Sequence, residues 1–173
     1  MINNLTKYGI QLKLVDIEDA GFIMQLRNNT SLNSFISPTS TQLKDQVNWI
    51  KEYKKREKAK LEYYFITIIN GKKLGTTRLS ELDTQSFELG SWVFLRESPA
   101  GAAVKADILT KEIGFETLGF DYCKFNVRKA NKTVLKYHQH YQPSIVKEDD
   151  LDLYFQLSVS NFNTHKTKFL KLL

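Results

Sequence analysis

The chain has 173 residues, of which 42% are hydrophobic and 25% are charged, and its formal net charge is +6 at pH 7. These values are typical of one globular domain with a substantial core, and they exclude a fully disordered chain and a collagen-like repeat. The apolar runs are far shorter than the roughly 20 residues that span a bilayer, and no apolar leader follows Met1, so a cytoplasmic protein is expected.

The single cysteine and the basic surplus narrow the chemistry further. Cys123 has no second cysteine to pair with, which excludes an internal disulfide and a cysteine-based zinc cluster. The basic residues are spread along the chain and favour an anionic partner, without choosing among a cofactor, a substrate and nucleic acid.

Hydrophobic periodicity and turn residues predict the elements of the first half. The Asn-Gly pair at 70–71 is a strong hairpin signal between two apolar segments. In chain order, the pattern predicts a strand over 10–14, a short helix ending at 28–29, a loop over 30–40, a helix from Leu43 that ends in the charged run 54–58, and three consecutive antiparallel strands over 63–69, 74–79 and 87–94.

In the second half the period changes to that of a helix. The elements predicted there are a long helix over 101–119 closed by Gly119, a strand over 122–127, a helix over 131–140, a hairpin of 144–146 with 151–157 around an acidic turn, and a weakly amphipathic basic tail from Asn161. Because a strand, a crossover helix and a further strand run parallel, the order predicts a mixed α/β sheet.

A ligand site is expected where the loop after Phe94 meets the start of the 101–119 helix. The turn 98–103, Ser-Pro-Ala-Gly-Ala-Ala, has small residues that let backbone N–H groups approach an anion closely. By contrast, His138 and His140 do not share a helix face, and with His165 they form no cluster, so no metal is predicted.

The element order, this small-residue turn and the segment 131–141 together resemble the GNAT superfamily of acetyl-CoA-dependent N-acetyltransferases, over residues 10–158. The resemblance implies one domain over 1–173, built on a mixed, mostly antiparallel sheet of six to seven strands flanked by four helices. It also implies acetyl-CoA as the co-substrate. In that family the turn reads Gln/Arg-x-x-Gly-x-Gly/Ala, and its amides hold the pyrophosphate of coenzyme A.

Gly101 and Ala103 match this turn, whereas Ser98 replaces the usual Gln or Arg. In the register of the family's second motif, Asn131 faces the pantetheine arm and Lys136 lies near the phosphates. The cofactor-binding residues that the resemblance implies are Phe94, Leu95, Arg96, Gly101, Ala102, Ala103, Asn131 and Lys136.

The same register implies His138 as the general acid, since the family often has a tyrosine there that protonates the leaving thiolate. An imidazole with an ordinary pKa of about 6.5 suits that task. Tyr137 and Tyr141 stay open as alternatives.

An uncharged amine also requires a base, and Glu88 is the best-placed carboxylate, on the strand before the cofactor turn with Phe87 and Leu89 pointing to the opposite face. Glu81 and Asp83, in the preceding turn, are weaker candidates for the base.

Within the resemblance, segment 131–155 is most similar to bacterial enzymes of polysaccharide biosynthesis that acetylate a nucleotide-linked deoxy-aminosugar. Direct transfer in a ternary complex is expected, because Cys123 lies in a predicted core strand where a thiol is inert. Two alternatives stay open. Gly90-Ser91-Trp92 suggests a ribosomal-protein-type N-terminal acetyltransferase, and the departures at Ser98 and His138 suggest a non-catalytic acyl-CoA-binding or nucleic-acid-binding module. No membrane partner is expected. Edge strands near the C-terminus and the aromatic hairpin 151–157 leave a homodimer open.

Overall fold

The computed structural model describes Ile2 and residues 4–172. The strands in these residues are β1 (Leu5–Lys7), β2 (Ile10–Leu14), β3 (Tyr63–Ile69), β4 (Lys72–Ser80), β5 (Ser86–Phe94), β6 (Tyr122–Arg128), β7 (Ser144–Glu148) and β8 (Asp152–Ser158). The α-helices are α1 (Ala20–Asn28), α2 (Leu43–Lys58), α3 (Ala102–Glu112), α4 (Lys132–Gln139) and α5 (Val159–Leu170). A π-helical turn over Ile113–Thr117 follows α3, and 3₁₀ turns lie at Ile17–Asp19 and Asn33–Phe35.

These strands form one sheet in the order β1-β2-β3-β4-β5-β6-β8-β7. Among the described strands, β5 and β6 run parallel and the other neighbours run antiparallel. The predicted mixed, mostly antiparallel sheet is therefore confirmed, including the parallel pair on either side of the α3 crossover. Within the described residues, no helix is long and apolar enough to cross a bilayer.

The described residues form eight strands and five α-helices, so the predicted six to seven strands are one or two too few and the predicted four helices are one too few. β1 has three exposed residues, too few for an alternating pattern, and a turn at Tyr8 and Gly9 with positive φ returns the chain to β2. α5 forms in the segment described above as a basic tail. Ser158 caps it by accepting a hydrogen bond from the Asn161 amide at 3.2 Å, and Phe162 is fully buried.

The long helix predicted over 101–119 is also shorter in the structure, because α3 gives way to the π-helical turn at Ile113. This wider turn brings Gly114 directly against the ring of Phe87 on β5. Gly119 adopts a positive φ of 79° just beyond the turn.

The homodimer prediction rests on edge strands near the C-terminus and on the aromatic hairpin 151–157. β8, which contains most of 151–157, pairs with β6 on one side and with β7 on the other, so its backbone is not free. The sheet ends at β7, which is exposed along its length and carries the exposed apolar residues Ile145 and Val146.

Helices pack on the two faces of the sheet unequally. The larger core lies between the sheet and α3, and includes Phe87, Leu89, Phe125 and Phe155. The smaller core lies beneath α1 and α2, on the β2–β4 half of the opposite face. On β6, Asn126 points to this opposite face and is exposed. The β6–β8 half of this face therefore presents polar side chains that no helix of the described chain covers.

A gap opens between β5 and β6. Their parallel pairing extends over three residue pairs and ends at Glu88 opposite Lys124. Beyond Glu88, a bulge bends β5 at Ser91, where φ is 49° and the Ser91 carbonyl accepts a hydrogen bond from Thr76 Oγ1 at 2.7 Å. The two strands diverge toward the start of α3, which places a crevice at the middle of the sheet.

Candidate active site

A cavity of about 790 Å³ occupies this crevice and extends beneath α1 and α2. Four of the residues predicted for the site from the sequence line it, namely Glu88, Phe94, Asn131 and His138. The two proposed catalytic groups thus share one cavity, although they lie on β5 and α4, about 50 positions apart in the chain.

Glu88 is half-buried in the wall of the cavity, while Phe87 and Leu89 are buried in the larger core on the opposite face. Burial raises the pKa of the Glu88 carboxyl, and the nearby charge of Glu81 raises it further. The positive charges of Arg78 and Lys124 act against this rise but do not cancel it. A carboxylate with a raised pKa is a stronger base than an ordinary glutamate once it is ionised.

His138 is only 4% exposed and lies among aromatic rings. Its ring centroid is 4.3 Å from that of Phe125 and 5.7 Å from that of Trp92. Nδ1 is buried and has no hydrogen-bond partner among the described residues. Burial, followed by the positive charge of Lys111, lowers the pKa of His138 well below its ordinary value. The expectation of an ordinary histidine pKa is therefore wrong, and His138 is neutral at pH 7.

A buried polar cluster lies beside His138, between α3 and α4, and consists of Asp107, Lys111, Tyr137 and Tyr141. Lys111 Nζ and Asp107 Oδ2 are 2.6 Å apart, and both side chains are fully buried. The Tyr137 hydroxyl donates to the same Asp107 oxygen at 2.5 Å and lies 3.3 Å from the Tyr141 hydroxyl.

This cluster changes the acidity of Tyr137 and Tyr141, the two alternatives to His138 as the general acid. Burial and the charge of Asp107 raise the pKa of Tyr137 well above its ordinary value, and they raise that of Tyr141 as well. Both hydroxyls are thus weak acids whose hydrogen bonds are already made inside the protein.

The other two carboxylates considered as bases lie in the turn before β5. Asp83 accepts hydrogen bonds from the amides of Gln85 and Ser86, and the bond from the Ser86 hydroxyl is the main reason that its pKa is lowered. Glu81 is exposed. Neither of them lines the cavity.

The small-residue turn forms the start of α3. Gly101 is the N-cap residue and has a φ of 78°, a left-handed conformation that favours glycine. The Ala102 amide donates to the Pro99 carbonyl at 3.0 Å, whereas the following amides of the first turn have no acceptor within the helix. The Ala103 carbonyl accepts a hydrogen bond from Trp92 Nε1 at 2.9 Å, which fixes this turn against β5.

The other predicted cofactor residues, Leu95, Arg96 and Lys136, do not line the cavity. The Leu95 amide donates to the Leu74 carbonyl at 2.9 Å, and Arg96 Nη2 donates to the Ser31 carbonyl at 3.0 Å. Lys136 is exposed on α4. Asn131, which does line the cavity, caps α4 by accepting a hydrogen bond from the Val134 amide at 3.3 Å.

Comparison with known families decides what this arrangement is. A family model described as an acetyltransferase (GNAT) domain matches residues 10–141, which is most of the chain. The chain belongs to the GNAT acetyltransferases. None of the curated proteins is matched by its sequence.

Solved GNAT structures resemble this enzyme over nearly its whole length. Apo FdhC, described as a nucleotide-linked sugar GNAT, is 36% identical, with a TM-score of 0.87 and coverage of 97% of each chain. The ribosomal-protein-S5-alanine acetyltransferase of Vibrio fischeri is 14% identical, with a TM-score of 0.78, and the match covers 91% of this chain and 97% of that one. Campylobacter jejuni PseH, in complex with acetyl coenzyme A, is 20% identical, with a TM-score of 0.66, and the match covers 87% of this chain and 99% of that one. The last two likenesses show the fold alone.

The sequence reasoning missed several residues that line the cavity of this GNAT enzyme. They are Arg27, Trp49, Tyr64, Arg78, Arg128 and Asp152. A signal was present for Arg78, which is a charged residue inside a predicted strand whose neighbours are apolar or small. Among the described residues, no group of three or more His, Cys, Asp and Glu side chains is placed to hold a metal ion. The absence of a metal cofactor stays a prediction.

Proposed function

We propose that this enzyme transfers the acetyl group of acetyl-CoA to the amino group of a nucleotide-linked deoxy-aminosugar. The 36% identity with FdhC over 97% of both chains carries the proposal. The cavity supports it, because it combines a carboxylate base with arginines that suit an anionic acceptor. Membership of the GNAT acetyltransferases, shown by the match over residues 10–141, supports acetyl-CoA as the donor.

The residues around the start of α3 fit coenzyme A. The unpaired amides after Ala102 and the positive end of α3 suit a pyrophosphate, and Arg96 and Lys136 add positive charge nearby. Gly101 keeps the approach to the turn free of a side chain. Phe94 and Leu95, at the end of β5, and the amide of Asn131, at the start of α4, would contact the pantetheine arm in the gap between β5 and β6.

The transfer is direct, within a ternary complex. Bound acetyl-CoA supplies the acetyl group as a thioester. Glu88 removes a proton from the ammonium group of the acceptor, which frees the nitrogen lone pair to form the new C–N bond. The C–S bond breaks, and its electron pair leaves on the sulfur. The nitrogen loses its second proton as the amide forms, and this proton neutralises the thiolate, so that the products are the amide and the free thiol of coenzyme A. His138 donates an N–H hydrogen bond to that sulfur, in the position that a tyrosine often occupies in the family.

The low pKa of His138 determines which protonation state of its ring meets the leaving thiolate. Its imidazolium is a strong acid but is scarce at pH 7, so the neutral ring, which has one N–H donor, is the form that faces the thiolate. Cys123 takes no part, because it is fully buried and burial raises the pKa of its thiol. A buried, protonated thiol cannot serve as an acetyl carrier.

A panel of amines, each offered with acetyl-CoA, tests this function through the release of free coenzyme A thiol. The panel contains dTDP- and UDP-linked 3-amino and 4-amino deoxysugars, the corresponding free aminosugars, and a peptide with an N-terminal alanine. Turnover with a nucleotide-linked aminosugar and none with the peptide is expected. Turnover with the peptide alone would establish the N-terminal acetyltransferase alternative. Binding of acetyl-CoA without turnover of any amine would establish the non-catalytic module.

A further inference from the structure

Two arginines flank the crevice on the face opposite the larger core. Arg78 lies on β4 and Arg128 at the end of β6, so that β5 and the gap run between them. Both line the cavity that contains Glu88. Their chain neighbours Leu79 and Val127 are buried in the larger core, which directs both arginine side chains to the opposite face of the sheet, the face that carries Glu88.

Arg78 is held in place but has unused donors. Its guanidinium lies 5.8 Å from the centroid of the Trp49 ring, and its closest ion-pair contact is with Glu62, at 3.5 Å. Glu62 is already paired with Arg56, whose Nε is 2.5 Å from the other carboxylate oxygen. Arg78 Nε is buried without a hydrogen-bond partner among the described residues. A buried guanidinium donor without an acceptor is costly unless a ligand completes it.

Arg128 is in a similar state. It lies opposite Asp152 in the β6–β8 register, and its Nη1 is 3.6 Å from Asp152 Oδ2, beyond hydrogen-bond distance. The other Asp152 oxygen is buried and also lacks a partner among the described residues. The pairing therefore orients the guanidinium without saturating its five donors.

Both guanidiniums lie on the same side of Glu88 along the strands. Arg78 pairs with Gly90, two residues beyond Glu88, which is about 7 Å along β5. Lys124 pairs with Glu88, and Arg128 follows it four residues later, about 13 Å along β6. The first spacing is comparable to the width of a pyranose ring, so an amine at Glu88 would leave the anomeric end of its sugar near Arg78.

We infer that Arg78 and Arg128 together bind the diphosphate of the nucleotide-linked acceptor. The identity of the acceptor rests on the proposed function, whereas the anion site rests on the two arginines. Planar guanidiniums with free donors match phosphate oxygens in a bidentate manner, and two of them on opposite sides of one gap suit a group with two phosphates. The stacking of Arg78 on Trp49 orients its donors before the ligand arrives.

Calorimetric titration with UDP and dTDP tests the site, in the presence of saturating coenzyme A so that the cofactor's own pyrophosphate site is filled. We expect the parent protein to bind both nucleotides and to bind uridine and thymidine at least tenfold more weakly. Arg78→Gln and Arg128→Gln should each weaken nucleotide binding at least tenfold. Lys55→Gln is the control, because Lys55 is an exposed cation on α2 that pairs with Glu52, shares no partner with either arginine and does not line the cavity. It should keep the parent affinity within about twofold.

Folding of each variant is checked by its thermal unfolding and by its affinity for coenzyme A, and Arg78→Lys provides a second variant that keeps the charge but loses the planar fork. This variant should recover part of the binding lost in Arg78→Gln. If Arg78→Gln and Arg128→Gln bind UDP and dTDP as the parent does, the inference is overturned.

The two proposals fail in different ways. If the parent acetylates an aminosugar nucleotide but the arginine variants keep its KM, the function stands and the diphosphate site is wrong. If UDP and dTDP bind through both arginines but no aminosugar nucleotide is acetylated, the anion site stands and the proposed function is wrong.

Discussion

The buried cluster of Asp107, Lys111, Tyr137 and Tyr141 and the arginine pair of the acceptor cavity lie on opposite faces of the same sheet. In the buried cluster, the charges are fully enclosed and 2.6 Å apart. In the cavity, Arg78 and Arg128 make only long ion-pair contacts, at 3.5 and 3.6 Å. The enclosed cations and anions of the cluster are each other's closest partners, whereas the two guanidiniums of the cavity keep donors that a ligand can use. The proposed catalytic carboxylate Glu88 lies on the open side, and His138, which also lines the cavity, packs beside the buried cluster.

The largest effect is expected on the open side, at Glu88. Glu88→Gln should lower kcat by about 10²- to 10⁴-fold, because it removes the base but keeps the shape of the side chain. The parent enzyme should lose activity as the pH falls, since the carboxylate must be ionised. Because the pKa of Glu88 is raised, this loss should begin at a higher pH than for an ordinary glutamate.

The measurement is the pH profile of kcat/KM in the proposed assay. Glu81→Gln serves as the control, because Glu81 is exposed and raises the pKa of Glu88 only through its charge. It should shift the acidic limb of the profile to lower pH and leave the plateau unchanged. A Glu88→Gln enzyme with the parent plateau would remove Glu88 from the mechanism.

The second effect is expected in the buried cluster, as a loss of stability. Lys111→Met leaves the Asp107 carboxylate buried without its partner and should lower the free energy of unfolding by about 3–5 kcal/mol. Combining it with Asp107→Leu should recover much of that loss. Denaturant unfolding followed by circular dichroism measures both variants.

Lys55→Met provides the comparison. Lys55 Nζ is 2.7 Å from Glu52 Oε1, close to the 2.6 Å of the buried pair, but both side chains are mostly exposed. It should cost no more than about 1 kcal/mol. Equal losses for Lys55→Met and Lys111→Met would show that the buried pair has no special role in the fold.

The smallest effect concerns His138. Its folded-state pKa lies below the unfolded value of about 6.5, so its contribution to stability is complete above that pH and declines as the pH falls below it. Each pH unit over which the folded state resists protonation corresponds to about 1.4 kcal/mol. Histidine NMR titration should show the His138 ring staying neutral as the pH falls through 6.5. A His138 signal that titrates near pH 6.5 would refute the assignment of a neutral ring.

Local pattern was sufficient for much of the fold and for part of the site. Alternation placed Glu88 on the face opposite Phe87 and Leu89, and the shift to helical period after Phe94 located the turn at the start of α3. These features depend on neighbouring residues, which the sequence displays directly.

The features that were missed depend on distant residues. Arg78 and Arg128 meet one cavity only because β4, β5 and β6 are adjacent and β5 bends away at Ser91. Asp107 and Lys111, four positions apart, have the spacing of an exposed ion pair on a helix, and only the packing of α4 over them shows that they are buried. The low pKa of His138 likewise arises from that packing.

Gly114, on the face of the sheet opposite the cavity, limits where the strand residues around Glu88 can lie. A Cβ atom at this position would overlap the ring of Phe87, whose chain neighbour is Glu88. The ring is enclosed in the larger core and has little room to withdraw. Any side chain at position 114 would therefore displace Phe87 and, through the backbone, Glu88, which Gly114 itself does not contact. A mutational scan should report position 114 as intolerant to substitution although it lies outside the cavity.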